Sequence, residues 1–246
     1  MCIQFSKKVL RSFCLSLGLF TMASGSAFAT AILHFEDATS GTSVIGGALS
    51  SLGLSDGTTF TSDTTAFNDL LLNNSWDLVI FGEQGGSAFN NVSTTLTSYV
   101  NNGGRVLGTT WLDATMASLF QAQSQGMNAS SITTEAHPIF DGLGADIALN
   151  NPGWGTYAHS WNPLESAIGL GSLGDGFAAV LGNNGNTLLS GPLFDAYADL
   201  AEGELYAANQ ISFLLGHQSA PVSEPSVIAL FGFGLAGLVW VRRRRR

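Results

Sequence analysis

Short apolar runs and stretches with helical spacing alternate along the first half of the chain. Apolar runs predict strands at residues 31–35, 58–61, 77–82 and 105–110. The segments between them predict helices at residues 42–52, 66–72 and 92–100. The run at 77–82 (DLVIFG) is continuously apolar after its first residue, as a parallel strand covered on both faces requires. Strands joined by helices predict a three-layer α/β sandwich with a mainly parallel sheet and right-handed crossovers.

The second half is less regular. Candidate strands lie at residues 157–161, 177–181 and 187–191, and a loop is predicted at 150–155. Residues 200–215 predict a closing amphipathic helix. Residues 30–218 are therefore expected to form one α/β domain, since about 190 residues suffice for a single core.

The N-terminal 29 residues have the features of a secretory signal. Lys7, Lys8 and Arg11 precede an apolar stretch, and small residues end at 27–29 (AFA). This order predicts a Sec-type signal peptide cut before Thr30, with the Sec translocon and signal peptidase as partners. Both cysteines of the chain lie within this segment, so the mature chain is expected to have no disulfide and no cysteine nucleophile or metal ligand.

The C-terminus predicts a short membrane helix. Residues 227–241 are apolar or glycine, and residues 242–246 are all arginine. A helix of that length spans about 22 Å against roughly 30 Å of bilayer hydrocarbon, so it anchors the chain only marginally. The arginines are expected to stay in the cytoplasm, which places residues 30–220 outside it.

This tail resembles a known sorting signal. The order Ser223, Glu224, Pro225, then a glycine-rich hydrophobic helix and an arginine cluster, is similar to the PEP-CTERM signal of Gram-negative, often biofilm-forming bacteria. Ser223 stands where that family usually has its first proline. The resemblance implies that an exosortase, a membrane-embedded cysteine protease, cleaves near this signature in the inner membrane and sends the protein to the cell surface or the medium. The alternative is an ordinary C-terminal anchor that is never cut.

The segment between the two signals is strongly acidic. Residues 30–220 carry 17 Asp and Glu against Arg105 alone, a formal charge of −16 with His neutral. Nucleic-acid binding is disfavoured because there is no basic patch to displace counterions from a polyphosphate. Calcium, which prefers oxygen ligands, is a possible cofactor on composition, but the sequence contains no EF-hand loop. Otherwise the charge serves solubility, and no short zinc signature is present.

Four segments together resemble a superfamily. Residues 76–84 (WDLVIFGEQ), 101–111 (NNGGRVLGTTW), 137–144 (HPIFDGLG) and 204–216 (ELYAANQISFLLG) look like class I glutamine amidotransferase-like proteins. The resemblance implies a flavodoxin-like α/β fold. It also places Thr110 where that family has its nucleophilic cysteine. His159 is followed by Ser160 rather than completing the family's His-x-Glu pair, so the resemblance is evidence of fold and not of activity.

The candidate site follows from the sheet. Open parallel sheets bind ligands beyond the carboxyl ends of their strands. The predicted strand ends carry the following polar or aromatic residues: Glu36, Asp37, Glu83, Thr110, Trp111, Asp113, His159 and Asp195. Of these, Glu83, Thr110, Asp113 and His159 form the candidate ligand rim. A hydrolase would use Glu83 or Asp113 as general base with His159 as its partner; helix capping or solvation is the alternative for the aspartates and Glu36.

A second candidate surface is aromatic. Trp154 and Trp161 flank a glycine-containing stretch, and their rings could stack on sugars of an exopolysaccharide. The alternative is that both are core residues. Three function classes remain: a non-catalytic surface or matrix protein that binds polysaccharide or calcium, a secreted hydrolase on an altered amidotransferase-like scaffold, and a partner-binding module. We expect the first.

Overall fold

The computed structural model describes residues 30–111 and 114–216. Its strands are β1 Ile32–Glu36, β2 Thr58–Thr61, β3 Leu78–Glu83, β4 Val106–Thr110, β5 Ala122–Met127, β6 Ser131–Thr133, β7 Asp146–Ala148, β8 His159–Pro163, β9 Ile168–Leu173, β10 Gly176–Gly182 and β11 Thr187–Ser190. Its α-helices are α1 Ile45–Ser51, α2 Thr64–Asn73, α3 Ala88–Asn101, α4 Ala114–Leu119 and α5 Leu200–Leu215.

The four strands of the first half, joined by β11 from near the C-terminal end of the domain, form a parallel sheet in the order β2-β1-β3-β4-β11. Neighbouring strands run parallel throughout this group. Every residue of β1, β3 and β4 is buried. Helices cover both faces of these strands, so their side chains are buried on both sides and are mostly apolar. The continuous apolar run of β3 predicted this burial on both faces.

The second half continues the same sheet with antiparallel strands. From β11 the order runs β10-β9-β6-β7, while β8 pairs with β10 and with β5. All of these pairings are antiparallel. The sheet is therefore mixed, and the expectation of a mainly parallel sheet was wrong. The reason is connection length, since a two-residue turn joins β9 to β10 and leaves no room for a crossover helix.

Helices on the two faces make two separate cores. On one face α1 and α5 bury Ile45, Leu49 and Ile211 against Ile32 and Ile80 of the sheet. On the opposite face α2, α3 and α4 bury a second apolar set, which includes Phe67, Phe89, Leu96 and Met116 together with Phe35 and Phe81 of the sheet. The three-layer arrangement expected from the sequence is present.

Element boundaries agree with the sequence where periodicity was strong. β2 and α5 have the predicted limits, and α2 and α3 extend the predicted helices by two to four residues at their N-terminal ends. Five elements, β5, β6, β7, β9 and α4, were not predicted from the sequence. Residues 150–155 form a loop, as predicted.

The signal peptide predicted at 1–29 and the sorting tail at 219–246 lie outside the described residues, as does Asp113. Across 30–111 and 114–216, the helices are all too short or too polar to cross a bilayer.

Candidate functional site

The parallel strands end at one edge of the sheet and bring several predicted site residues to it. Glu36 ends β1, Glu83 ends β3 and Thr110 ends β4, and the register pairs Glu83 with Thr110 on the adjacent strand. Asp195 follows β11 at the same edge. This edge is where open α/β sheets bind ligands.

Glu83 and Thr110 are directly bonded and completely buried. The Thr110 hydroxyl donates to Glu83 Oε2 at 2.9 Å, and Glu83 Oε1 accepts from the backbone N–H of Phe89 at 2.9 Å. Both residues have 0% of their surface exposed. Phe89 lies in the first turn of α3, whose N-cap Ser87 makes no side-chain capping bond, so Glu83 caps the helix in its place.

The carboxylates that end β1 also have backbone and amide partners. Asp37 accepts from the N–H groups of Gln84 at 2.7 Å and Gly85 at 2.9 Å. A side chain at position 85 would collide with this carboxylate, because a Cβ there would lie 2.7 Å from Asp37 Oδ2. Glu36 Oε1 accepts from Gln84 Nε2 at 3.0 Å. Asp37 thus fixes the turn after β3 to the end of β1.

Asp195 anchors an aromatic pair. Its Oδ2 accepts from the backbone N–H of Ser40 at 2.8 Å and of Gly41 at 2.9 Å, and from Trp154 Nε1 at 3.2 Å. The Trp154 ring packs against that of Trp111, with ring centres 5.7 Å apart and planes tilted by 43°. Both tryptophans are half-buried. One carboxylate therefore holds the loop after β1 and the orientation of Trp154.

Two polar atoms of this aromatic site remain without a protein partner. Trp111 Nε1 and Asp195 Oδ1 are buried and have no hydrogen bond within the part of the chain that the structure describes. One is a donor and the other an acceptor. Buried polar atoms are normally satisfied, so these two atoms are candidates for hydrogen bonds to a ligand.

His159 contacts this site from β8. Its Nε2 hydrogen-bonds to the carbonyl oxygen of Trp111, and its Nδ1 lies 3.4 Å from Ser124 Oγ. Burial lowers the pKa of His159, and the bond to the Trp111 carbonyl opposes that shift. The imidazole is therefore neutral at pH 7, and both ring nitrogens are engaged with other groups. It orients Trp111 through the main chain.

The two predicted stacking residues have different environments. Trp154 lies at the edge of the sheet, as described above. Trp161 is 2% exposed and belongs to the core cluster on the α2–α4 face of the sheet, with its Nε1 donating to Ser190 O at 3.3 Å. Its ring stacks on His159. Trp161 is therefore a core residue and has no face available to a ligand.

The sequence did not predict that Trp111 would pair with Trp154. It placed Trp111 after a strand and Trp154 in a loop 43 positions later, and nothing in the local pattern joins them. Asp195 was expected only as a capping or solvated residue, and its bonds to Ser40 and Gly41 span more than 150 positions.

The described residues contain no cluster of side chains that would support metal binding. Among residues 30–111 and 114–216, no group of three His, Cys, Asp or Glu side chains could hold a metal ion. The carboxylates at the sheet edge are spread over separate hydrogen-bond networks.

Comparison with known proteins supports both resemblances. The model of the PEP-CTERM protein-sorting motif matches residues 221–245. The chain carries a PEP-CTERM sorting motif. The motif supports export, anchoring through the C-terminus and processing by an exosortase. None of the curated proteins matches the sequence.

Solved structures with the same fold are similar over almost their whole length. A glutamine amidotransferase from Thermotoga maritima aligns with TM-score 0.51 and 10% identity, covering 76% of this chain and 99% of that one. A protein from Thermoplasma acidophilum described as a GMP synthase component aligns with TM-score 0.50 and 12% identity, covering 77% and 96%. A cytoplasmic protein from Salmonella typhimurium LT2 has the same score and identity, covering 76% and 99%.

The described domain therefore shares its fold with a glutamine amidotransferase, as the resemblance in the sequence implied. At this level of identity the likeness concerns fold alone. The assignment of Thr110 to the position of the nucleophile stays a prediction.

Proposed function

We propose that this PEP-CTERM protein is a non-catalytic cell-surface or matrix protein whose amidotransferase-like domain binds neutral polysaccharide. The observation that carries the proposal is the half-buried pair of Trp111 and Trp154, held by Asp195 at the carboxyl edge of the sheet. The electron-rich faces of indole rings attract the polarised C–H groups on the flat side of a sugar ring.

The unpaired atoms of the aromatic site suit a hydroxylated ligand. A sugar hydroxyl both accepts and donates, so one sugar unit can accept from Trp111 Nε1 and donate to Asp195 Oδ1. Hydrogen bonds of this kind give orientation, while ring stacking contributes contact area. Thiol or metal chemistry is not needed for this function.

Net charge selects among polysaccharides. A domain with a formal charge of −16 repels uronate and sulfate polymers at low salt, because there is one basic residue between positions 30 and 220 to offset that repulsion. Neutral polymers are favoured. Calcium, which could bridge the domain to an acidic polymer, becomes one arm of the test.

Binding is tested with the processed domain, residues 30–220, by affinity electrophoresis and calorimetry on neutral and uronate polysaccharides, each with and without calcium. We expect neutral-polymer binding that is calcium-independent. Trp154→Ala and Trp111→Ala should each weaken it about tenfold, since central aromatic contacts contribute about 1–2 kcal/mol or more.

Leu72→Ala is the matched control, because Leu72 is an exposed apolar side chain on α2, on the opposite face of the sheet from α1. This variant should bind as the parent does. Equal binding by all four proteins would contradict the aromatic site, and binding only to uronate polymers with calcium would replace it with a calcium-bridged mode.

Processing gives a separate expected result. Intact-mass measurement of protein from the envelope or medium should find a chain that begins near Thr30 and ends between Ser223 and Ser226. Replacing Glu224 and Pro225 by alanine should retain the tail, because the exosortase recognises that signature. A full-length tail on parent protein in the medium would contradict exosortase processing.

A secreted hydrolase remains the second candidate because of one observation, the bond between the Thr110 hydroxyl and the Glu83 carboxylate. A carboxylate so placed could accept the proton of an attacking hydroxyl. Complete burial of both groups weighs against this function, since a nucleophile must reach its substrate. Turnover of ester, amide or glycoside substrates by the parent and its loss in Thr110→Val would favour the hydrolase.

A further inference from the structure

A cavity lies beside the first strand of the sheet. It has a volume of about 650 Å³ and is open to solvent. Its walls come from β1, β2, α1 and the loop after β1, and its lining includes His34, Glu36, Asp37, Ser43, Thr58 and Phe60. The cavity is large enough for one or two sugar units and is distinct from the Trp111–Trp154 pair.

The floor of this cavity holds a histidine and a carboxylate that do not satisfy each other. His34 Nε2 lies 3.3 Å from Glu36 Oε2, but the nitrogen is buried and makes no hydrogen bond of good geometry in the described structure. Both residues are more than nine-tenths buried. With the imidazole hydrogen on Nδ1, Nε2 and Oε2 are two acceptors side by side, and a donor placed between them would stabilise both.

A hydrogen bond to the second carboxylate oxygen of Glu36 fixes this side chain in position. That oxygen, Oε1, accepts from Gln84 Nε2 at 3.0 Å. This bond leaves Oε2 directed toward His34 and available to a ligand. A carboxylate and an imidazole nitrogen together accept two hydrogen bonds, which an ammonium group with three N–H donors can supply.

An exposed aromatic ring forms the wall of the cavity. Phe60 is 59% exposed on the edge strand β2 and contacts the His34 ring edge-on, with centres 5.0 Å apart. Its free face can stack on a sugar and can also attract a cation. Gly46 of α1 also lines the cavity, and a Cβ there would meet nothing within 4 Å, so the cavity is open beside Gly46.

We propose that this cavity binds a sugar unit carrying a free primary amine, with the ammonium between His34 Nε2 and Glu36 Oε2 and the ring against Phe60. The hydroxyl groups of Ser43 and Thr58 lie on the same walls and suit the sugar hydroxyls. The lining contains no lysine or arginine, so an anionic sugar has no counter-charge there.

This site is independent of the proposed polysaccharide function. Asp195 accepts from Trp154 Nε1 and from the N–H groups of Ser40 and Gly41, whereas Asp37, Ala38 and Thr39 of the same loop line the cavity. Trp154→Ala should therefore leave amine binding unchanged, and loss at one site can be distinguished from loss at the other.

The test is calorimetric titration of the domain, residues 30–220, with glucosamine oligosaccharides and their N-acetylated equivalents at physiological salt. We expect the amine form to bind about tenfold more tightly, the effect of one charged hydrogen-bonded contact. Glu36→Gln should abolish this preference, and Phe60→Ala should weaken binding about three- to fivefold, the size of an exposed cation–π contact.

Two variants separate a site from general attraction of cations to an acidic protein. Asp175→Asn makes the same charge change as Glu36→Gln at an exposed turn, and Leu72→Ala removes an exposed apolar side chain as Phe60→Ala does. Both should bind as the parent does. The proposal is overturned by equal affinity for the acetylated form, by a preference that survives Glu36→Gln in folded protein, or by an equal loss in Asp175→Asn.

Discussion

Trp161→Ala is expected to lower the free energy of unfolding by about 3–5 kcal/mol, the cost of truncating a large buried aromatic residue. Trp161 is among the largest fully buried side chains, and its truncation removes both its contacts in the core cluster and its stacking on His159. Removal of the indole also leaves Ser190 O without its donor. The cavity left by the indole cannot collapse fully, because β8, which carries residue 161, is paired with β10 on one side and β5 on the other.

Trp154→Ala should cost much less, about 1 kcal/mol, since Trp154 is half-buried and its loss is confined to one hydrogen bond and one ring contact. Urea unfolding followed by far-UV circular dichroism measures both variants without depending on indole fluorescence. Trp161→Phe is the intermediate control. Equal costs for the two alanine variants would contradict the assignment of Trp161 to the core and Trp154 to the site.

The parallel half of the fold could be predicted from the sequence because burial on both faces leaves a local mark. Residues 78–81 are apolar without interruption, and a glycine follows them. The residues between strands show helical spacing, so both the elements and their crossover connections follow from short windows. Helices α2 and α3 were found this way, although their first two and four residues, respectively, were missed.

In the antiparallel half, β8 and β10 were predicted, but β5, β6, β7 and β9 could not be, because these four strands carry little apolar pattern. β5 reads AQSQGM and is exposed at most positions, so it is held by pairing with β8 rather than by burial. β9 reads IGLGSL, in which glycines interrupt the alternation; a Cβ at Gly169 would lie 2.3 Å from the Phe177 ring on β10. Cross-strand packing of this kind is not visible in a single segment.

The candidate site likewise combines residues that the sequence placed together with residues that it did not. Glu83 and Thr110 were predicted because each ends a recognisable strand, and the register brings them together. Trp111, Trp154 and Asp195 meet only through loops that are far apart in the chain. Trp154 and Trp161 differ in whether the ring is buried in the core or lies at the sheet edge. They are only seven residues apart, and the local sequence does not show which of the two is buried.

Thr110→Val is expected to lower the free energy of unfolding by about 1.5–3 kcal/mol, because the hydroxyl donates to a buried carboxylate and valine has nearly the same shape. Glu83→Ala should cost about 2–4 kcal/mol, since the Phe89 N–H at the start of α3 loses its cap as well. Glu83→Gln, which keeps one carbonyl acceptor, should cost less than Glu83→Ala.

A double-mutant cycle on Glu83→Gln and Thr110→Val measures their coupling by urea unfolding. We expect a coupling free energy of about 1–2 kcal/mol, as for neighbours that share one hydrogen bond. Near-zero coupling in folded variants would contradict the bond.

The same variants separate a structural role from a catalytic one. If the bond only stabilises the fold, the variants lose stability, and the binding constant of the folded protein for neutral polysaccharide does not change. A catalytic pair would instead lose turnover in Glu83→Gln at temperatures where the variant stays folded. Because Glu83 caps α3 and both groups are sealed from solvent, we expect the stability change alone.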